Sequence, residues 1–114
     1  MTVTELLDAL RDLDAQLHSP RVTDYYRGQD ARSRERFVAL RAWTARALAD
    51  ATRARIEEIA DALTAHDAEL RRGMADARDA LRHLDDAVRA LNVLADVLTV
   101  LAQAVPGIID QVLP

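Results

Sequence analysis

The chain has 114 residues and a formal net charge of −4, and this size predicts a single domain, 1–114, with a modest core. It contains no cysteine, so structural disulfides, thiolate zinc sites and thiol catalysis are excluded. Three glycines and three prolines are too few for the turns of a β protein, and alanine, leucine and arginine favour helices. All fifteen basic residues are arginine, which we interpret as the composition of a GC-rich, bacterial-type genome. The sequence therefore predicts an all-α protein.

The N-terminal stretch predicts a first helix over about 3–18. Thr2 and Glu5 have the spacing of a capping box, and leucines follow at steps of three and four. Ser19-Pro20 ends this helix, because the residue before a proline is pushed out of the α region. The stretch has no basic region followed by an unbroken apolar run, so we expect no secretory signal and a cytoplasmic location.

The next stretch, 21–29, contains Gly28 and is predicted as a loop, after which Asp30 or Ser33 caps a long helix over 31–72. That helix has no Gly or Pro. One apolar face runs along it at helical spacing, formed by Phe37, Leu40, Thr44, Leu48, Thr52, Ile56, Ile59, Leu63, His66 and Leu70. The two successive four-residue steps from Leu48 to Ile56 indicate a local shift of phase.

Gly73 offers two alternatives. Gly73 suits the left-handed position after a helix end, and Asp76 suits the start of the next helix, which favours a turn. Against a turn, the apolar face continues through Gly73 without interruption. Without a turn, however, a single helix over 30–104 would be about 110 Å long. We favour the turn, because a helix of that length needs an oligomer to support it.

The third predicted helix covers 76–105 and contains the most apolar stretch, Ala90 to Val105. Only one narrow polar line interrupts it, formed by Asn92, Asp96, Thr99 and Gln103. Its heptad spacing predicts coiled-coil-like packing. Pro106-Gly107 ends the helix, and Ile108-Ile109 and Val112-Leu113 are expected to form a last apolar turn that folds back.

These helices predict an elongated antiparallel hairpin or three-helix bundle. In that arrangement the apolar helix has one certain neighbour, the 43–58 region, and two uncovered sides, so we expect oligomerisation, with a homodimer favoured. The predicted oligomer or lipid interface consists of Leu91, Val93, Leu94, Val97, Leu98, Val100, Leu101, Val105, Ile108 and Ile109.

No chemical motif in the sequence predicts catalysis. The histidines have ordinary expected roles: His66 packs on the apolar face, His83 pairs with neighbouring aspartates, and His18 lies near a helix end. No Asp or Glu has a histidine three positions later, which excludes the di-iron motif of helical bundles. We therefore expect no catalytic residue, no metal and no cofactor, and a non-enzymatic protein.

Charge is unevenly distributed along the chain. Between residues 21 and 55 there are nine arginines against four acids, and the remainder has six against fifteen. All four aromatic residues also lie in this basic stretch. Nucleic-acid binding through 21–55 is a weak alternative, because the protein is acidic overall, and the docking of acidic helices on a basic one is favoured. The predicted partner-contact residues are Tyr25, Tyr26, Arg27, Arg32, Arg34 and Arg36.

The function predicted from these features is that of a self-associating assembly or adaptor module with itself or an unknown protein as partner. The alternative is a membrane- or lipid-surface-active protein that uses 90–109 and inserts as an oligomer, since Asp96 is the only charge there. In composition only, the chain resembles phasins, helical secretion substrates and small coiled-coil adaptors. It lacks the Trp-x-Gly turn of the secretion substrates, because Trp43 is followed by Thr44-Ala45.

Overall fold

The computed structural model describes residues 1–105 and 107–109. Within these residues every regular element is a helix, which confirms the all-α prediction. The described chain is compact, with a radius of gyration of 13.6 Å and extents of 43 × 24 × 19 Å. Its six helices are α1 (Val3–Leu17), α2 (Pro20–Arg27), α3 (Ala31–Arg53), α4 (Ile56–Ala65), α5 (Asp67–Arg82) and α6 (Ala87–Ala104).

The four longer helices surround one hydrophobic core. Helix α1 contacts α3 and α5, and α6 contacts the same two helices from the other side. Helices α3 and α6 run in the same direction, because Arg36 bonds to Asn92 near their starts and Asp50 to the backbone of Ile109 near their ends. The expected antiparallel packing of 43–58 on the apolar helix is therefore wrong. Helix α5 is the antiparallel neighbour of α6.

Helix α1 forms as the sequence predicts. The Thr2 hydroxyl accepts a hydrogen bond from the Glu5 N–H at 3.1 Å, and the Glu5 carboxylate accepts one from the Thr2 N–H at 3.1 Å. These two bonds satisfy N–H groups that a helix start leaves without partners. The four leucines of its apolar face are all buried, namely Leu6, Leu10, Leu13 and Leu17.

The predicted loop over 21–29 is wrong, because most of it forms α2. The Ser19 hydroxyl accepts a hydrogen bond from the Val22 N–H, and Pro20 takes the first helical position, where its missing N–H costs nothing. Val22 and Tyr26, four residues apart, are both buried. Ser19-Pro20 thus ends one helix and begins another at once.

The predicted helix over 31–72 is divided into three. Helix α3 ends at Arg53, and Ala54 and Arg55 adopt extended conformations with ψ of 146° and 133°. This break lies within the 48–56 stretch where the sequence predicts a shift of phase. A second break at His66 separates α4 from α5.

Neither alternative at Gly73 is correct, because Gly73 lies inside α5 and the chain reverses at 83–86. The predicted third helix over 76–105 is therefore wrong at its start, since its first turns belong to α5 and α6 begins at Ala87. An added Cβ on Gly73 would lie 2.7 Å from Cγ2 of Val97, so the glycine permits α6 to approach α5 closely. Asp86 caps α6 by accepting a hydrogen bond from the Arg89 N–H at 3.0 Å. The glycine is a packing residue here rather than a helix terminator.

After α6 the chain folds back onto the core. Val105, Ile108 and Ile109 are buried, and Gly107 and Ile109 have positive φ values of 81° and 52°. The Ile109 N–H donates to the Asp50 carboxylate at 3.1 Å. Helix α6 ends at Ala104 with Val105 as its C-cap, within one residue of the predicted end at 105. Pro106 itself and the predicted apolar turn at Val112-Leu113 lie outside the described residues.

Candidate functional site

The residues predicted as an oligomer or lipid interface lie mainly in the chain's own core. Because α3 and α5 flank α6, the expectation of two uncovered apolar sides is wrong. In this conformation the ten residues do not form a surface. Eight are buried, namely Leu91, Leu94, Val97, Leu98, Leu101, Val105, Ile108 and Ile109, and two, Val93 and Val100, are partly buried against the same core.

The predicted polar line of α6 faces outward. Its four residues, Asn92, Asp96, Thr99 and Gln103, are all exposed. By length and composition alone α6 could cross a membrane, with a mean hydropathy of 1.4, and 39% of its residues are buried inside the structure. A core helix of a folded domain has the same properties, because its apolar side is covered by the other helices.

Tyr26, predicted as a partner contact, is a core residue. Its ring stacks on that of Phe37 at 4.5 Å between centroids, and its hydroxyl donates to the Ala87 carbonyl at 3.0 Å. Burial raises the pKa of its phenol. Tyr25 is partly buried with its ring edge against Tyr26, and Arg27 is exposed beside Asp24. Tyr26 is therefore unavailable for binding, because α2 turns it inward.

The three predicted arginines at the start of α3 lie in different surroundings. Arg34 is exposed and donates to the Gln29 carbonyl at 3.0 Å. Arg36 is partly buried and donates to Oδ1 of Asn92 at 2.6 Å. Arg32 and Arg36 line a groove of about 420 Å³ between α3 and α6, together with Asp30, Ser33, Val88, Leu91 and Asn92. The structure thus separates these arginines from Tyr26 and places two of them on one groove.

The outward side of α3 is unusually apolar for an exposed helix surface. We define the α3 outer face as the exposed residues opposite the buried side of this helix: Ala31, Glu35, Val38, Ala39, Ala42, Ala45, Arg46, Ala49 and Arg53. Six of these nine are alanine or valine, and Val38 is 54% exposed. The outward side of a surface helix is normally polar. The steps of four, three and four from Val38 to Ala49 are present in the sequence, but which side of α3 faces solvent depends on the positions of α1 and α6.

The positive charge of α3 remains at the surface. The helix carries six arginines against Glu35 and Asp50. Its ion pairs in the described chain are local, from Arg46 and Arg53 to Asp50. The expected docking of acidic helices on a basic one is therefore not seen as ion pairs from α3 to α1 or α6 within the described residues.

A second groove separates α1 from α5, with a volume of about 330 Å³. Arg71 of α5 donates to both carboxylate oxygens of Glu5, at 2.7 and 3.2 Å. This hydrogen bonding, together with the capping N–H of Thr2, lowers the pKa of Glu5 to about 2. Leu13 and Met74 are buried residues that line the groove. The groove carries opposite charges on its two sides.

The three histidines lie at helix ends. His18 and His83 each bond through Nδ1 to a backbone carbonyl four residues earlier, at 2.8 and 3.1 Å. His66 is partly buried at the junction of α4 and α5. Within 1–105 and 107–109 there is no group of three His, Asp or Glu side chains placed to hold a metal ion.

Comparison with known protein families, curated proteins and solved structures finds no match to this chain.

Proposed function

We propose that this chain is a non-enzymatic helical assembly module that associates with a second copy of itself through the α3 outer face. The observation that carries the proposal is the run of exposed Val38, Ala42, Ala45 and Ala49 along one helix. Side chains this small allow two helices to approach closely, and an apolar strip left in water gains free energy when a partner covers it.

A twofold arrangement also suits the charges of this face. If two copies of α3 pack antiparallel with the axis between Ala42 and Ala45, Val38 of one copy meets Ala49 of the other. The same register brings Glu35 close to Arg53 of the second copy. Glu35 makes no ion pair within the described chain, so this contact would give it one. The register therefore pairs the only acidic residue of the face with a base.

The lipid alternative receives less support than self-association. Its proposed contact residues on α6 are mostly buried, so membrane binding would require the core to open. Nucleic-acid binding has the exposed arginines of α3, but Tyr26 and Phe37 are buried and cannot stack on bases.

The test is light scattering coupled to size exclusion over a range of protein concentrations. Wild type is expected to form a dimer, and Ala42→Glu is expected to weaken dimerisation by roughly tenfold or more, since it places a charge at the centre of the contact. Ala68→Glu is the control, because Ala68 is an exposed alanine on α5. A wild type that stays monomeric, or an Ala42→Glu variant that dimerises as well as wild type, contradicts the proposed face. Sedimentation of wild type with liposomes would instead support the lipid alternative.

A further inference from the structure

Two breaks divide a stretch whose sequence is helical throughout. No Gly or Pro occurs from 31 to 72, yet the chain leaves the helical conformation at Ala54-Arg55 and again at His66. Neither junction has a side-chain cap, since Arg55 before α4 and His66 before α5 make no capping hydrogen bond. The local sequence therefore favours a continuous helix, and the packing of the folded chain imposes the breaks.

The buried positions keep helical spacing across both breaks. Ala51 and Ile59 are buried eight residues apart, and Leu63 and Leu70 seven residues apart, which in each case equals two helical steps of three or four. Ile56 belongs to the same apolar face in the sequence but is 64% exposed in the structure. In a straight helix Ile56 would lie seven residues before Leu63, on the side that α4 and α5 bury.

We infer that α3, α4 and α5 have a second conformation, a straight helix over 31–82, in which the chain exchanges its α5–α6 half with a second copy. The contacts of α5 with α1 and of α6 with α3 then form between copies instead of within one, so these contacts are kept. The straight helix also gains backbone hydrogen bonds at the junctions. The partner is a second copy because only the same chain supplies the same complementary surfaces.

This exchange is distinct from the contact through the α3 outer face. That face lies opposite the buried side of α3, so it stays exposed in the exchanged dimer. Exchange also requires the core to open, so the exchanged dimer forms and dissociates slowly, whereas association of two folded surfaces is rapid. The two contacts can therefore be tested separately.

A proline at position 55 distinguishes the two conformations. Arg55 has φ of −76° and follows Ala54 with ψ of 146°, which are the values that a proline and its preceding residue adopt. The Arg55 N–H donates no backbone hydrogen bond to the described residues. Arg55→Pro thus fits the compact monomer and disrupts a straight helix. It should lower the association constant of the slowly dissociating dimer roughly a hundredfold or more. Arg55→Ala is the matched control, since it removes the same side chain and permits the helix.

The experiment refolds wild type and both variants at high protein concentration and measures the slowly dissociating dimer by light scattering. A second measurement gives the distance between two spin labels within one chain. The double variant Val38→Cys, Arg78→Cys is spin-labelled and mixed before refolding with an excess of unlabelled chain. In the straight helix these positions lie about 60 Å apart within one chain, from 1.5 Å per residue. That distance exceeds the longest extent of the compact molecule, 43 Å.

A slow dimer with the long distance in wild type and Arg55→Ala, and without it in Arg55→Pro, supports the exchange. A dimer that shows only distances below 43 Å, or that forms equally well in Arg55→Pro, overturns the exchange and leaves the α3 outer face as the contact. A dimer lost in Arg55→Pro but unchanged in Ala42→Glu supports the exchange and contradicts the α3 outer face. A wild type that is monomeric at every concentration overturns both proposals.

Discussion

Replacing Gly73 with alanine tests the close contact between α5 and α6. In an exposed helix interior this change stabilises by about 1 kcal/mol, because alanine has the higher helix propensity. Here the new Cβ would lie 2.7 Å from Cγ2 and 3.0 Å from Cβ of Val97. Rotation about χ1 moves Cγ2 but leaves Cβ in place, so the side chain cannot relieve the contact by changing rotamer. The backbones of α5 and α6 must therefore move apart.

Overpacking of this kind costs about 1–3 kcal/mol, which exceeds the gain in helix propensity. We expect Gly73→Ala to lower the free energy of unfolding by about 1 kcal/mol, measured by urea denaturation. At this chain length that loss corresponds to a Tm lower by about 4 °C.

Two further variants show whether the contact is the cause. Gly28→Ala should be neutral, because the added Cβ meets only the Tyr25 carbonyl oxygen at 3.6 Å. In a Val97→Ala background, which removes Cγ2 but keeps the Cβ at 3.0 Å, Gly73→Ala should cost less than it does in the wild-type chain. If Gly73→Ala stabilises the wild-type chain by about 1 kcal/mol, α5 and α6 do not pack as described.

Three other changes probe local features of the fold. Tyr26→Phe removes the buried hydrogen bond to Ala87 and should cost about 1 kcal/mol in urea denaturation; an unchanged stability would contradict that bond. Ser19→Ala removes the cap of α2 and should also cost about 1 kcal/mol, and no loss would indicate that 20–27 is not a capped helix. Because the pKa of Glu5 is lowered from 4.5 to about 2, its contribution to stability is complete above pH 4.5 and is lost as the pH falls towards 2. Glu5→Gln should therefore be less stable than wild type at pH 7, with a difference that closes between those pH values; a difference that does not depend on pH would refute the ion pair with Arg71.

Local signals predicted the fold where hydrogen bonds between near neighbours decide the structure. Three features depend on near neighbours in this way: the capping box at Thr2 and Glu5, the leucine spacing of α1, and the helix start at Asp30. The polar line of α6 was also readable, because it depends only on helical periodicity. Ser19-Pro20 misled the prediction, because the same pair that ends α1 also caps α2, and a proline favours both roles.

Features that depend on distant contacts could not be read from the sequence. Gly73 has the local surroundings of a helix end, and only the approach of Val97 from another helix explains why it lies inside one. The burial of Tyr26 likewise depends on Phe37 and on the start of α6. The candidate surface was missed for the same reason, since which side of α3 faces solvent is decided by the position of α1 and α6.

The breaks around α4 show a competition between local and distant interactions. Helix propensity and register favour continuation through Ala54 and His66, whereas the burial of Ile59 and Leu63 holds α4 in the compact chain. The two side chains together contribute about 3–6 kcal/mol, and the two junctions without caps cost about 1–4 kcal/mol, so the two ranges overlap. Since the two sides of this balance are similar, a second copy that buries the same residues along a straight helix removes the advantage of the breaks. The proposed exchange therefore predicts that the conformation of α4 depends on protein concentration, with the straight helix favoured at high concentration.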